Sequence, residues 1–520
     1  MMKLRLLFVL CALGVPLCNA YHILFYHTTG TRSNLIQMQP LVEEVLNRGH
    51  KVTAILFSKF DIGHENYTEI LVPNGLEKLY EGFSKYALEE GGIKPWTVKM
   101  WRTVVELWSA CVEDLATLPL REEKVQKLLK TKSDHKVDLL ITVFAIPGAY
   151  MADQFDCPML IFTPVGFHTF IMEGTGNVLN WSVQPPASAL NIEPLSFFER
   201  LTNHMMGNVA EKIFFRWFTK SIHHHQQGKL GQAVRNPYDI IRDRLSIILS
   251  ASHPVTHGSW PYLPHFIELG GLHLRDPKPL PKDLQEFMDA AKHGVVFMSF
   301  GSQIKASGLS QEKVSVFIQA FERLKMSVIW KWDSDIPNIP KNVITRNWLP
   351  QQDLLGHPNL KVFITHGGLG SLMEAIYHKT VLVGIPLTND QRPNILRAAR
   401  HGFARMLELD TLTADDLTEA INDGFQDEEM KSAIERVHKI YVDRPERPLD
   451  TAVWWVEYVC RNGGAEIFQS WWAADTPWYQ YHHLDILLFL IVIIGVVCGA
   501  LVFVCHICRK LCCKRKLKTE

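Results

Sequence analysis

A run of 19 residues without a charge, from Ile486 to Val504, constrains this chain more than any other part of its sequence. At about 1.5 Å of rise per residue, a helix of that length crosses a hydrocarbon core of about 30 Å. A basic tail follows the run, and basic flanks favour the cytosolic side of a membrane. The pattern therefore predicts one membrane span at residues 484–508 and a cytosolic tail at 509–520.

The N-terminus indicates where the bulk of the chain lies. Residues 1–20 have a basic start, an apolar run and a small-residue ending. This is the pattern of a secretory signal peptide, with cleavage expected after Ala20. We therefore expect a type I single-pass protein with its bulk in a lumen. Lys516 and Lys518 resemble a dilysine retrieval signal, which favours the endoplasmic reticulum.

The residues between the two ends exclude several classes of protein. Basic and acidic residues are equal in number, 54 of each, so nothing in the global charge favours a nucleic-acid partner. Three of the ten cysteines lie between the predicted signal peptide and the span, too few for a disulfide framework. The histidine run at 223–225 is expected in a solvated loop, and no metal site is expected. Sequons at Asn66 and Asn180 predict N-glycosylation.

The lumenal portion has two stretches of strand–helix alternation. The first begins with a strand at His22–His27, a helix that ends at Gly49 and a strand at 50–57. A proline-rich crossing at 254–281 interrupts the alternation, which then resumes. Such alternation predicts parallel sheets in an α/β fold. The expected divisions are an N-terminal domain at 21–265, a C-terminal domain at 266–445, and a closing helix with a juxtamembrane segment at 446–483.

Polar residues follow the ends of consecutive strands between residues 347 and 394. A strand at 361–365 delivers His366 and two glycines to the start of a helix, where free N–H groups and the helix dipole suit a diphosphate. Trp348 offers a face for a flat base, and Glu374 can accept hydrogen bonds from a ribose diol. The strand, glycines and helix alone would be equally compatible with a tight structural turn. The candidate nucleotide-sugar ligands are Trp348, Gln351, His366, Gly368, Ser371, Glu374, Asp390 and Gln391.

The complete array is more specific than any of its parts. Trp-x-Pro-Gln, 14 residues, His-Gly-Gly-x-x-Ser-x-x-Glu, 15 residues and Asp-Gln closely resemble the donor-site signature of the UDP-glycosyltransferases, including the UDP-glucuronosyltransferases of animals. The resemblance extends to Gly270-Gly271-Leu272-His273, to Phe300-Gly301-Ser302, to the span and to the basic tail. It implies a GT-B fold of two Rossmann-like domains facing a cleft, with the acceptor in the N-terminal half. It adds Ser302 to the donor ligands.

The resemblance also implies the reaction. Such enzymes transfer a sugar from UDP with inversion, without a metal and without a cofactor beyond the UDP-sugar co-substrate. Gly370 replaces the usual asparagine of the signature and is more similar to invertebrate members. UDP-glucose is therefore the first expectation and UDP-glucuronate the alternative, with a small lipophilic acceptor. The sequence is also compatible with a homo-oligomer.

The catalytic dyad of the family is substituted in this chain. Asn34 stands at the position of the family's base, a histidine, and Val143 at the position of its supporting aspartate. A neutral amide cannot take a proton at pH 7, so base catalysis worth about 10² to 10⁴ in rate should be missing. Three interpretations remain open: transfer to acceptors such as amines that need no strong base, use of a nearby histidine such as His27, or UDP-sugar binding with weak or no turnover.

Overall fold

A computed structural model of the chain contains two sheets of parallel strands and one long C-terminal helix. The residues that the structure describes are 20–28, 30–91, 98–143, 145–165, 169–177, 180, 182, 192, 194–205, 212–231, 233–388 and 390–516. The predicted signal peptide up to residue 19 lies outside these residues, as does Lys518 of the predicted retrieval signal.

Among the residues that the structure describes, seven strands form the first sheet. They are β1 (His22–His27), β2 (Lys51–Leu56), β3 (Tyr67–Leu71), β4 (Leu139–Thr142), β5 (Met159–Thr163), β6 (Leu245–Ser250) and β7 (Phe266–Glu268). Their order across the sheet is β3-β2-β1-β4-β5-β6-β7. Ile23 and Phe25 of β1 pack on one face of the sheet, and Leu24 and Tyr26 pack on the other. This alternation of buried side chains is expected where helices cover both faces.

Ten helices of the described residues accompany the first sheet. They are α1 (Arg32–Asn47), α2 (Glu77–Glu89), α3 (Val98–Arg121), α4 (Glu123–Lys130), α5 (Ala145–Phe155), α6 (Thr169–Gly174), α7 (Phe197–Met205), α8 (Lys212–Leu230), α9 (Pro237–Arg244) and α10 (Pro254–His257). α1 buries Leu35, Met38 and Val42, the spacing of an apolar helix face. Residues 223–225 lie within α8. Our prediction of a loop for the histidine run is therefore wrong. The helix continues through the run because Phe218, Ile222 and Gln226, four residues apart, are buried on one helix face.

The first sheet extends further than the sequence suggested. β7 pairs in parallel with β6, although we expected residue 266 to begin the second domain. A strand of three residues between prolines is too short to show a periodic pattern, which explains the difference. The chain leaves the first sheet only after Glu268.

Six strands form the second sheet, which has the order β10-β9-β8-β11-β12-β13. The strands are β8 (Val295–Ser299), β9 (Ser327–Lys331), β10 (Val343–Arg346), β11 (Leu360–Thr365), β12 (Val381–Gly384) and β13 (Ala404–Met406). The helices are α11 (Lys282–Ala290), α12 (Gln311–Glu322), α13 (Gln351–Leu355), α14 (Leu369–Tyr377), α15 (Gln391–Arg400), α16 (Ala414–Gln426) and α17 (Glu428–Val442). Phe297 of β8 stacks on Phe363 of β11 with ring centroids 4.9 Å apart, at the centre of this core.

The chain then returns to the first domain. Helix α18 (Pro448–Asn462) packs on α1. Its Glu457 lies 3.5 Å from the Arg48 guanidinium and 3.4 Å from Nε2 of the buried His50. Two short helices follow, α19 (Trp471–Asp475) and α20 (Trp478–Tyr481). The second domain is therefore connected to the first at both of its ends.

The last helix, α21 (Leu484–Lys516), contains the stretch predicted as a membrane span. Among the described residues, Leu484–Lys510 is the one helical stretch long and apolar enough to cross a bilayer. None of its most apolar window is buried against the rest of the protein. Its apolar side chains are therefore available to a lipid environment.

Candidate active site

Three neighbouring strands of the second sheet end around the N-terminus of α14. β8, β11 and β12 are adjacent and in register at Ser299, Thr365 and Gly384. The carboxyl edge of an open parallel sheet is where α/β proteins bind ligands. The predicted donor residues that lie at this edge are Ser302, His366, Gly368, Ser371, Glu374, Asp390 and Gln391.

His366 supports the backbone at this edge. A Cβ atom on Gly301 or Gly368 would lie 2.7 or 2.8 Å from the His366 ring, so only glycine allows this close approach. Burial, with a smaller contribution from the charge of Lys331, lowers the pKa of His366 to about 4. The imidazole is therefore neutral at physiological pH, and it has one N–H to donate to a phosphate oxygen.

Glu374 is held at the centre of a polar network. Gln351, at the start of α13, donates from Nε2 to Glu374 Oε2 at 2.6 Å and to Ser371 Oγ at 3.0 Å. His273 Nε2 lies 3.4 Å from Glu374 Oε1. Each oxygen of this buried carboxylate keeps a further lone pair, so the carboxylate can still accept bonds from a diol. The structure thus brings together Gln351, which we predicted to contact the nucleobase, and Glu374, which we predicted to contact the ribose.

The Trp348 side chain is 51% exposed, so its ring is accessible to a nucleobase that would stack on it. The Arg32 guanidinium lies 4.4 Å and Lys331 Nζ 4.9 Å from the centroid of its ring. Lys331 also donates to the Gly301 carbonyl at 2.7 Å. Burial, followed by the charge of Arg32, lowers the pKa of Lys331. Two mutually repelling cations therefore lie against the Trp348 ring, and Lys331 also reaches the Gly301 backbone beside His366, so a nearby anion would relieve their repulsion.

Asp390 and Gln391 differ in how much hydrogen-bonding capacity their side chains keep for a ligand. Asp390 precedes α15, accepts from Asn394 Nδ2 at 2.7 Å, and has a pKa that burial raises to about 6. Gln391 Oε1 accepts from the backbone N–H groups of Leu387 and Thr388, at 2.9 and 2.8 Å. The Gln391 amide therefore secures the loop before α15, while the Asp390 carboxylate retains free acceptor capacity.

Sequence reasoning missed four residues that border this site. Arg32 and Gln37 come from α1 of the first domain, His273 from the crossing between domains, and Lys331 from the end of β9. Gln37 is buried, and a Cβ on Gly370 would lie 3.6 Å from its Nε2. None of the four belongs to the spaced signature; only His273 lies in a motif that the resemblance included, Gly270-Gly271-Leu272-His273, and that motif was given no role at the site.

A cavity of about 650 Å³ lies beside Ser302, between the two domains. An ion pair of 3.2 Å between Lys305 and Glu81 joins its two walls. Cavities of this size hold small organic ligands. Its other lining residues include Phe57, Asn74, Tyr80 and Leu88.

The positions of the substituted dyad lie at the carboxyl edge of the first sheet. β1 and β4 are neighbours, so His27, which ends β1, and Val143, which follows β4, are close along this edge. Asn34 lies in the first turn of α1, not in the loop before it, because the helix already begins at Arg32. A Cβ on Gly30 would lie 2.7 Å from His27 Cε1 and 3.3 Å from Asn34 Nδ2. Val143 is buried in the apolar core.

His27 is buried beneath Gly30 and packs edge-on against Phe57, with ring centroids 5.3 Å apart. Neither of its ring nitrogens has a hydrogen-bond partner among the described residues. Burial lowers the pKa of His27 to about 3. In this conformation the imidazole is neutral but only weakly basic, which makes it a poor general base near neutral pH.

The two sequons differ in exposure. Asn180 is exposed, and its side-chain oxygen accepts from the Ser182 backbone N–H at 3.0 Å. Asn66 is partly buried in the turn before β3, where its carbonyl accepts from Val52 at 3.0 Å. Asn180 is thus the more accessible predicted acceptor of a glycan.

Two Rossmann-like domains whose sheets adjoin an interdomain cleft define the GT-B class of glycosyltransferases. Solved structures of this class match most of the chain. Arabidopsis thaliana UGT89C1, complexed with UDP-L-rhamnose, superposes with a TM-score of 0.54 at 15% identity, over 85% of this chain and 100% of that one. A UDP-glucosyltransferase from Polygonum tinctorium gives 0.55 at 14% identity, over 85% and 99%. The GT-B fold implied by the sequence is confirmed.

Sequence relatives narrow the class. UDP-glycosyltransferase UGT5 of Dactylopius coccus is 30% identical over 492 residues, 92% of this chain and 90% of that protein. UDP-glucuronosyltransferase 2B15 of Homo sapiens is 30% identical over 507 residues, 94% and 93% of the two chains. The family described as UDP-glucoronosyl and UDP-glucosyl transferase matches residues 24–519. The chain belongs to this family of UDP-glycosyltransferases.

Proposed function

We propose that this protein transfers a hexose or hexuronate from a UDP-sugar, with inversion, to a small lipophilic acceptor whose nucleophile needs no strong base. The network of Gln351, Ser371 and Glu374 at the N-terminus of α14 carries the proposal. It presents a partnered carboxylate for the ribose beside the helix end, where N–H groups favour a diphosphate. UDP-glucose is the first donor to test and UDP-glucuronate the second.

The residues around the donor favour departure of UDP. Arg32 and Lys331 place positive charge beside Trp348, and the start of α14 adds its dipole. Cations and N–H groups held near the diphosphate stabilise the negative charge that develops as its bond to the sugar breaks. This contribution does not depend on a base.

The acceptor side supports a nucleophile such as an aromatic amine. Asn34 has a neutral amide, His27 is weakly basic, and Val143 supplies no carboxylate. As the nitrogen bonds to C1 of the sugar, the bond from C1 to the UDP oxygen breaks, which inverts the centre. The nitrogen then loses its proton to water. An aromatic amine is uncharged at neutral pH, so the attacking lone pair is available without prior deprotonation.

We also propose that the protein is a type I, N-glycosylated protein of the endoplasmic reticulum, anchored by α21. The apolar length of α21 and the basic residues that follow it support this placement. The bulk of the chain would then face the lumen.

Microsomes that contain the full-length chain test the proposed reaction. Incubation with UDP-glucose or UDP-glucuronate and matched anilines and phenols should give more aniline glycoside than phenol glycoside by mass spectrometry. Glu374→Ala should weaken UDP binding by about 1 to 3 kcal/mol, because a buried acceptor for the diol is lost. Glu419→Ala, at an exposed position of α16, is the matched control and should change neither quantity.

Two results would contradict the proposal. UDP-sugar binding without product from either acceptor class would indicate a binding protein. Faster transfer to phenols, with a pH dependence near the pKa of a histidine, would indicate that a histidine acts as a general base.

A further inference from the structure

Helix α7 has an inverted distribution of side chains. Its apolar residues Phe197, Phe198, Leu201 and Met205 are exposed, Phe198 to 75%, whereas the polar Asn203 is buried. Phe198, Leu201 and Met205 have the spacing of a single helix face. A helix of a water-soluble surface turns its apolar face inward. The exposed face of α7 therefore requires an apolar environment.

The position of α7 relative to α21 identifies that environment. The ring centroid of His204, on α7, lies 6.5 Å from that of His482. His482 precedes by two residues the start of α21 at Leu484. The charge of Lys212, at the start of α8, also contributes to lowering the pKa of His482, after burial. Both α7 and the first turn of α8 therefore lie at the level where the apolar helix begins.

Exposed aromatic residues surround the same point. Trp472 of α19 is 87% exposed, and Trp478 and Tyr479 of α20 are also exposed. Tryptophan and tyrosine are enriched where a protein crosses from water into the bilayer. Arg242 of α9 lies 2.8 Å from Asp475, which fastens α19 to the first domain. This ion pair joins α19 to α9, and the ring contact between His482 and His204 joins the end of α20 to α7.

We propose that α7, the first turn of α8, α19 and α20 form a membrane collar, which lies in the headgroup and outer acyl region of the bilayer that α21 crosses. The proposal rests on the anchoring by α21 proposed above. Exposed Ile213 and Phe198 would enter the acyl boundary, and Lys212 and Arg216 would face the lipid headgroups. The collar and the anchor together fix the orientation of the first domain on the membrane.

Lipid photocrosslinking of the full-length chain in phosphatidylcholine vesicles tests the collar. Phe198→p-benzoylphenylalanine keeps the aromatic ring and adds a photoreactive benzoyl group at an exposed position, and UDP binding reports that the variant is folded. On irradiation, the variant should gain the mass of one phospholipid. Ile440→p-benzoylphenylalanine, at an exposed apolar position of α17, is the matched control and should gain none. Leu490→p-benzoylphenylalanine, within α21, controls for the anchor itself and should gain the same mass.

The outcomes separate the collar from the anchor. A lipid adduct at position 490 without one at 198 overturns the collar and leaves the anchor intact. No adduct at 490 overturns both. A crosslink from position 198 to a second polypeptide overturns the collar in favour of a protein interface. Lipid adducts at 198 and 490, and none at 440, support it.

Discussion

At the scale of single residues, the charge of Lys331 should make UDP binding sensitive to alkaline pH. Burial and the charge of Arg32 lower the pKa of Lys331, so it loses its proton at a lower pH than an ordinary lysine. Bound UDP favours the protonated form, because the diphosphate attracts the cation. UDP affinity should therefore be full below the lowered pKa and fall as pH rises through it.

Calorimetric titration of UDP between neutral and alkaline pH measures this decline. Lys331→Arg should reduce the decline, because a guanidinium stays protonated throughout that range. Lys361→Arg is the control, since Lys361 is exposed near the start of β11, at the opposite end of that strand from the site. An identical decline in the wild type and Lys331→Arg would show that another group controls the pH dependence.

The buried carboxylate of Asp390 should lower the free energy of unfolding, while it serves as an acceptor for sugar hydroxyls. Its pKa is raised from 3.8 to about 6 by burial, so the folded state holds its proton more tightly than the unfolded state. Stability is therefore lost as pH rises through this interval, and the full cost is present above it. Asp390→Asn removes the charge and should raise the free energy of unfolding at neutral pH by up to about 3 kcal/mol. It should also slow sugar transfer, because an acceptor for sugar hydroxyls is lost.

Chemical unfolding at neutral and at acidic pH measures the stability effect. The gap between Asp390→Asn and the wild type should narrow as pH falls below about 6, where the native carboxyl becomes protonated. A variant that is less stable than the wild type at neutral pH would mean that the bond from Asn394 outweighs the cost of burial.

At the scale of elements, the contact between α14 and α1 depends on the small size of Gly370. A Cβ at this position would lie 3.6 Å from Gln37 Nε2 and 4.0 Å from His273 Nε2, so a single added atom fits. The amide of an asparagine would extend further, into the buried Gln37 side chain. Gly370→Asn should therefore separate the two helices and weaken UDP binding, at the roughly 1 to 3 kcal/mol typical of overpacking.

A second substitution on α1 distinguishes overpacking from loss of fold. Gln37→Ala removes the obstructing side chain, so the double variant should bind UDP more tightly than Gly370→Asn alone. Gln39→Ala is the matched control on the same helix, where Gln39 donates to Glu43 at 2.8 Å near solvent. If Gln39→Ala restores affinity equally, or Gln37→Ala does not, the steric explanation is wrong.

At the scale of the whole molecule, the exposed apolar surface of α21 predicts a single crossing of the membrane. Protease added to sealed microsomes should remove only the basic tail, because the bilayer protects everything on the lumenal side. Detergent should make the two domains accessible. Immunoblots with antibodies to each end measure both effects. Digestion of the domains in intact vesicles would contradict the proposed orientation.

Local patterns determined much of the donor edge in advance. The strand at 361–365, which is β11, and the polar residues around its end could be predicted, because apolar runs mark buried strands and parallel strands end at one edge. Glu374 and Gln351 were found in this way, and the structure joins them by a hydrogen bond of 2.6 Å. The apolar run at the C-terminus likewise predicted a helix long enough to span a bilayer.

Tertiary structure alone decided the features that depend on contacts between distant parts of the chain. Arg32 of the first domain contacts the Trp348 ring of the second. The side-chain oxygen of Gln391 accepts hydrogen bonds from the backbone of its own loop. The same holds for the short strand β7 and for the exposed apolar face of α7 beside His482. The sequence by itself determined the two parallel sheets and the apolar C-terminal helix, because each arises from periodicity within one segment. The charges around the donor and the apolar surface beside α21 were decided by packing, because no local pattern records which distant side chains will meet.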